Sequence, residues 1–175
     1  MLSIPIILFF FVLWLLWISY KNSTTYLGAP FVPLEPENVA KVIELSGATT
    51  GKIFYDLGSG DGRMVIAAAL HGATATGVEI DKLKVLYSRI WIRLLRLQDK
   101  ACIIRKNIFA VDLSDADIVV LYLLQETNDK LQEKLEKELK KGTRVVSVAF
   151  NFPGWIPVHI DPKGPIYGPI FVYQR

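Results

Sequence analysis

The chain has 175 residues, 51% of them apolar, and 20 Lys and Arg against 17 Asp and Glu give it a net charge of +3. Beyond residue 20 the apolar share is about 46%, ordinary for a globular domain, which excludes disorder, collagen-like repeats and multi-span transporters. The single cysteine, Cys102, excludes an internal disulfide, and with only His71 and His159 beside it no metal is expected.

Residues 1–20 contain 17 apolar residues and no charge. Twenty helical residues reach about 30 Å, the thickness of a hydrocarbon core. Trp14, Trp17 and Tyr20 gather towards the end of the run, where rings favour a membrane interface, and Lys21 follows. The rival reading, a cleaved signal peptide, lacks its signals: Met1-Leu2-Ser3 has no basic side chain and Tyr20-Lys21-Asn22-Ser23 is a poor cleavage site. The pattern therefore predicts a transmembrane helix over 1–20, a linker over 21–30 and a folded domain over 31–175. Basic residues follow the apolar run, so a single-pass membrane protein with a cytoplasmic domain is expected.

After the linker, Val39, Val42, Ile43 and Leu45 approximate one helical face, and Gly47 supplies a stop. Strand and helix patterns then alternate: a strand over Lys52–Asp56, a helix over Arg63–His71, a strand over Thr74–Glu79 and a helix over Asp81–Gln98. Strands follow at Ala101–Arg105 and Asp117–Leu124, then a helix over Asn128–Lys140 and a strand over Thr143–Phe150. Two shorter strands are expected near Val158–Ile160 and Ile170–Tyr173. About ten residues separate the third and fourth strands, too few for a full crossover helix. Such alternation predicts an α/β fold, Rossmann-like, with a seven-stranded mostly parallel sheet.

The first strand runs into Tyr55-Asp56-Leu57-Gly58-Ser59-Gly60-Asp61-Gly62-Arg63. In an open parallel sheet, ligands bind beyond the C-terminal strand ends, where a glycine turn exposes backbone and a helix N-terminus follows. The dinucleotide pattern is Gly-x-Gly-x-x-Gly; here Arg63 stands where its third glycine would be. Asp56 and Asp61 also place carboxylates beside the turn, which repel a pyrophosphate and attract a cation. S-adenosylmethionine offers an ammonium, a sulfonium and no phosphate. Glu79, ending the second strand, is placed to accept hydrogen bonds from both ribose hydroxyls. Asn107 can read an adenine edge, with Ile108 beside the ring. Asp56, Gly58, Ser59, Gly60, Asp61, Glu79, Asn107 and Ile108 are thus the expected cofactor residues.

DLGSGDGR at 56–63 with GVEID at 77–81 resembles a class I S-adenosylmethionine-dependent methyltransferase. More narrowly, APFVPLEP at 29–36, LYLLQETNDKL at 121–131, KLEKELKKGTRVVS at 134–147 and PGWIP at 153–157 resemble a protein-lysine methyltransferase family. That family includes the ATP synthase c-subunit lysine methyltransferase and small archaeal protein lysine methyltransferases. The resemblance implies a class I fold, S-adenosylmethionine as cofactor, a lysine side chain of a protein as acceptor, and Phe31, Val32 and Pro33 as a lid over the cofactor. One departure stands out: after Ser147 this chain continues Val148-Ala149-Phe150, where members often carry an acid or histidine.

A lysine acceptor must lose its proton, and a desolvated pocket with a tyrosine can hold the neutral amine. Tyr122, at the end of the fourth strand, is the candidate catalytic residue, with packing as its alternative. The Asn-Pro-Pro-Tyr motif of nucleic-acid amine methyltransferases is absent, so nucleic acid is not expected as a partner. A small-molecule or lipid methyltransferase beside the membrane, or a non-catalytic cofactor-binding module, are the competing readings. Lys82, Arg89, Arg93, Arg96 and Lys100 recur at helical spacing beside Trp91. They read as a solvated face, or alternatively as a surface for an anionic leaflet or nucleic acid.

Overall fold

The computed structural model describes residue Ile6 and residues 8–14, 31–162 and 168–175. The chain divides into two compact units, Met1–Val32 and Pro33–Arg175. In the first, helix is described at Ile6 and over 8–14, and the rest of the expected 1–20 span lies outside the described residues. Seven helical residues rise about 10 Å, a third of a hydrocarbon core. Among the described residues no helix is long and apolar enough to cross a membrane. The expected N-terminal transmembrane helix, and with it a single-pass membrane protein, is therefore corrected: the run is apolar enough, but the described helix is too short.

Among the described residues the second unit has four helices, α1 (Pro36–Ser46), α2 (Arg63–Leu70), α3 (Lys82–Leu94) and α4 (Gln125–Glu138). Its strands are β1 (Ile53–Leu57), β2 (Thr74–Glu79), β3 (Ala101–Arg105), β4 (Ile118–Leu121), β5 (Arg144–Val148), β6 (His159–Asp161) and β7 (Ile170–Gln174). The sheet order is β3-β2-β1-β4-β5-β7-β6. Strands β1 to β5 pair in parallel, while β7 is antiparallel to both β5 and β6. The expected mostly parallel sheet is thus a mixed one, with β7 running antiparallel between β5 and β6.

Local signals account for the element ends. Pro36 opens α1, where its missing N–H is no loss, and Gly47 at φ 69° closes it by donating to the Glu44 carbonyl. Asp81 caps α3 by accepting from Leu83 and Lys84 N–H, so the helix starts one residue later than expected. It stops at Leu94, ahead of Arg96, which sits at φ 56°. Between β3 and β4 only a 3-10 turn at Ile108–Ala110 intervenes.

The all-buried β4 shows how the core divides. Ile118 and Val120 face a cluster with Val42, Val65, Val85 and Ile92, which come from α1, α2 and α3. Val119 and Leu121 face the other side, with Leu131 and Leu135 of α4, Phe152 and Tyr173. Both faces of the sheet are therefore covered, and the C-terminal ends of β1, β2, β4 and β5 share one edge. The register sets Leu57 beside Val78 and Leu121, and Leu121 beside Ser147.

Candidate active site

The glycine turn leaves β1 at that edge and is fixed to β2 by backbone bonds. Gly58 and Ser59 N–H donate to the Val78 carbonyl at 2.9 and 3.1 Å, and Gly62 N–H donates to the Ser59 carbonyl at 2.8 Å. Gly58, Gly60 and Gly62 have φ of 83°, 53° and 79°, which side chains adopt at a cost. A Cβ on Gly58 would also stand 2.8 Å from Leu123, and one on Gly62 2.8 Å from Ser88. The turn is thus a cradle of bare backbone that larger residues would fill.

Glu79 sits on this cradle, 5% exposed. Its Oε2 accepts from Gly60 N–H at 2.8 Å, and its Oε1 from Ile80 and Asp81 N–H, each at 2.8 Å. The carboxylate expected to read ribose therefore also ties the turn to the end of β2. Asp61 is bound by Arg63 through its backbone N–H and its guanidinium, and the same guanidinium donates to the Leu34 carbonyl. Asp56 is buried at the end of β1. Burial, then repulsion from the Glu79 and Asp61 carboxylates, pushes its pKa up to about 8.

The other expected residues are placed as follows. Ser59 turns its hydroxyl towards Gly77, buried and without a hydrogen-bond partner among the described residues, so its side chain is directed inward. Asn107 follows β3, and its Oδ1 caps the 3-10 turn by accepting from Phe109 N–H at 3.0 Å. That leaves the amide N–H as what Asn107 can offer an adenine. Ile108 packs partly on the α4-side cluster. Tyr122 directly follows β4, partly buried against the opposite cluster, and the register puts it level with Gly58 and Val148. Phe31 and Val32 end the first unit, whereas exposed Pro33 begins the second.

Four participants escaped the sequence reading. Gly77 is needed because a Cβ there would meet Ile103 at 2.5 Å and the Ser59 hydroxyl at 2.6 Å; a glycine inside a buried strand was its signal. Ser88 of α3 donates to the Gly60 carbonyl at 3.1 Å. Lys84, fully buried, places its ammonium 3.6 Å from Asp81 Oδ2, and burial holds its pKa below the ordinary lysine value. Asn128 of α4, also fully buried, donates to Ser147 at 3.0 Å and to the Phe150 carbonyl at 3.3 Å, fixing the turn after β5. The acids before β4 serve structure: Asp117 accepts from Ile53 N–H, Asp112 from Ser114 N–H and Asp115 from the Tyr55 hydroxyl.

Acids and exposed backbone at the strand ends, with Arg63 and Lys84 both engaged by carboxylates, fit a cationic ligand bearing ribose and not a pyrophosphate. Comparison with known proteins agrees. Residues 56–159 match the ANTKMT methyltransferase domain.

The chain belongs to that methyltransferase family.

It is 40% identical over 133 residues to a protein-lysine N-methyltransferase of Saccharolobus islandicus, covering 75% of this chain and 83% of that one. It is 35% identical over 135 residues to the human ATP synthase c-subunit lysine N-methyltransferase, covering 77% of this chain but only 58% of the relative. Among solved structures, an RNA methyltransferase from Salinibacter ruber in complex with S-adenosyl-L-homocysteine superposes with a TM-score of 0.77 at 35% identity, covering 82% of this chain and 93% of that one. Like that family, the chain is an S-adenosylmethionine-dependent methyltransferase of class I α/β fold.

Proposed function

We propose that the acceptor is a lysine side chain of a protein. The observation that carries this reading is the acceptor edge itself. Past β4 and β5 the chain presents Tyr122, partly buried and level with Val148, with Asn128 and Ser147 buried beneath. A partly buried tyrosine at such an edge suits an amine that has given its proton to water before it attacks. The protein-lysine names of the archaeal and human relatives support the same acceptor.

When bound, S-adenosylmethionine supplies an electrophilic methyl group on a sulfonium. Asp56, Asp61, Glu79 and the Gly58–Gly62 backbone hold it, and Asn107 with Ile108 meets the adenine. The rigid turn supplies alignment, the main contribution a protein makes to an in-line displacement. Tyr122 orients the neutral amine through its phenol oxygen.

The Salinibacter structure is that of an RNA methyltransferase, so RNA is the second reading. Incubation with radiolabelled cofactor and matched protein and RNA extracts separates the two. Label in lysine residues of proteins, located by mass spectrometry, supports the proposal. Label confined to RNA, or to another protein side chain, overturns it.

A further inference from the structure

We infer that the outer face of α3 is a docking surface for an anionic bilayer. A surface helix normally buries one apolar face and turns a polar one outward. Helix α3 is apolar on both. Val85, Ser88 and Ile92 point into the core, while Leu83, Leu86, Ile90, Trp91 and Leu94 point outward and are 36–66% exposed, with Leu95 just beyond. At 3.6 residues per turn and 1.5 Å per residue the outward set forms one continuous ridge about 17 Å long. Ridges of this kind on a soluble surface mark a contact.

The charge beside the ridge identifies the occupant. Residues 82–106 hold eight Lys and Arg and one acid, Asp99, although the whole chain carries only +3. Lys84 is buried, but Lys82, Arg93, Arg96 and Lys100 are exposed along the flank and the following turn. Arg89 and Arg105 extend this flank across the sheet edge, where they donate to the Ile103 and Ile80 carbonyls. A second copy of the chain would bring like charges together. Nucleic acid would meet the arginines but leave the aliphatic ridge in water. A bilayer surface satisfies both: the headgroup boundary takes Leu, Ile and Trp, and anionic headgroups take the cations. The contact lies on the surface, is made by α3, and requires no spanning segment.

The single cysteine makes a site-specific test possible. In the full chain, Cys102→Ser with Leu94→Cys is labelled with a bimane dye and mixed with vesicles of pure phosphatidylcholine or of phosphatidylcholine with about 30% phosphatidylserine. The anionic vesicles should shift the emission to the blue and allow quenching by spin-labelled lipid. The neutral vesicles should do neither. Adding Arg93→Glu and Arg96→Glu should weaken the response about tenfold or more, while cofactor binding, which reports folding, stays unchanged. Vesicles that bind the protein without changing the dye would show that another part of the chain makes the contact, and would overturn the inference. So would a response of equal size to both vesicle types, or a dye response to RNA but not to vesicles.

Discussion

Asp56→Asn tests whether the buried carboxyl at the end of β1 answers a cationic cofactor. Burial, with the Glu79 and Asp61 carboxylates adding repulsion, raises its pKa from 3.8 to about 8, so near neutral pH the free protein carries it mainly protonated. A cation bound in the cradle favours the ionised form, and binding must then release the proton. Wherever the free carboxyl is protonated and the bound one ionised, affinity rises about tenfold per pH unit, or about 1.4 kcal/mol. The rise should level off near pH 8, where the free group ionises without help. The cofactor's own amine titrates alike with both proteins, so the difference between them isolates Asp56. Calorimetry at about pH 6, 7 and 8 in buffers of different ionisation heat measures affinity and proton count together. Wild type should release nearly one proton more per cofactor than Asp56→Asn near neutrality, and the variant should bind with a flatter pH profile. Equal proton counts and equal slopes would refute the reasoning. Stability has the opposite sign. Because the folded pKa lies above 3.8, the carboxyl's contribution is complete below about pH 4 and is lost as pH rises through about 8. The cofactor-free protein should therefore lose Tm across that window, and Asp56→Asn should lose less.

Three further substitutions probe the same framework. Gly77→Ala places a Cβ 2.5 Å from Ile103 and 2.6 Å from the Ser59 hydroxyl, which should cost about 1–3 kcal/mol in denaturant unfolding and weaken cofactor binding; unchanged affinity would show that the turn can move freely. Glu79→Gln replaces one acceptor oxygen by an amide donor facing a backbone N–H, so stability should fall by about 1–3 kcal/mol and cofactor affinity should fall with it. A variant that binds cofactor as wild type does would remove Glu79 from the site. Tyr122→Phe should lower turnover by roughly tenfold, about the value of one hydrogen bond, at unchanged cofactor affinity; unchanged turnover would return the ring to a packing role.

The elements legible in the sequence were those whose ends carry local signals. Thr74–Glu79 and Ala101–Arg105 have the expected bounds, because each strand is short, β-branched or apolar, and bracketed by turn residues. The glycine turn was legible for the same reason: its spacing is a local property. What escaped depends on partners far apart in sequence. Nothing near Asn128 announces Ser147, and nothing near Ser88 announces Gly60, since only the packing of α4 and α3 brings them together. Lys84 lies two residues from Lys82 in the basic run, yet that spacing turns it to the opposite face of α3 and into the core. The N-terminal expectation rested on composition alone, and among the described residues no helix is long and apolar enough to cross a membrane.

The way the two halves of the site are held has a consequence for specificity. On the cofactor side, β1 and β2 are neighbours, and the turn is fastened by Val78, Glu79 and Ser88 through bonds to its own backbone. A side-chain change on β4 or β5 touches none of these bonds. Past β5, on the side where we propose the acceptor, Asn128, Ser147 and the Phe150 carbonyl hold a separate turn. There Ala149 is kept at φ 70°, a conformation costly for a side-chain-bearing residue, by donating its N–H to the Pro169 carbonyl at 2.8 Å. Val148-Ala149-Phe150, where the family resemblance implies an acid or histidine in many members, falls in this second turn and outside the first. On the proposed reading, acceptor choice can diverge through that turn while cofactor binding is preserved, since among the described residues the bonds that fasten the glycine turn involve Val78, Glu79 and Ser88, and those that fasten the second involve Asn128, Ser147 and Pro169.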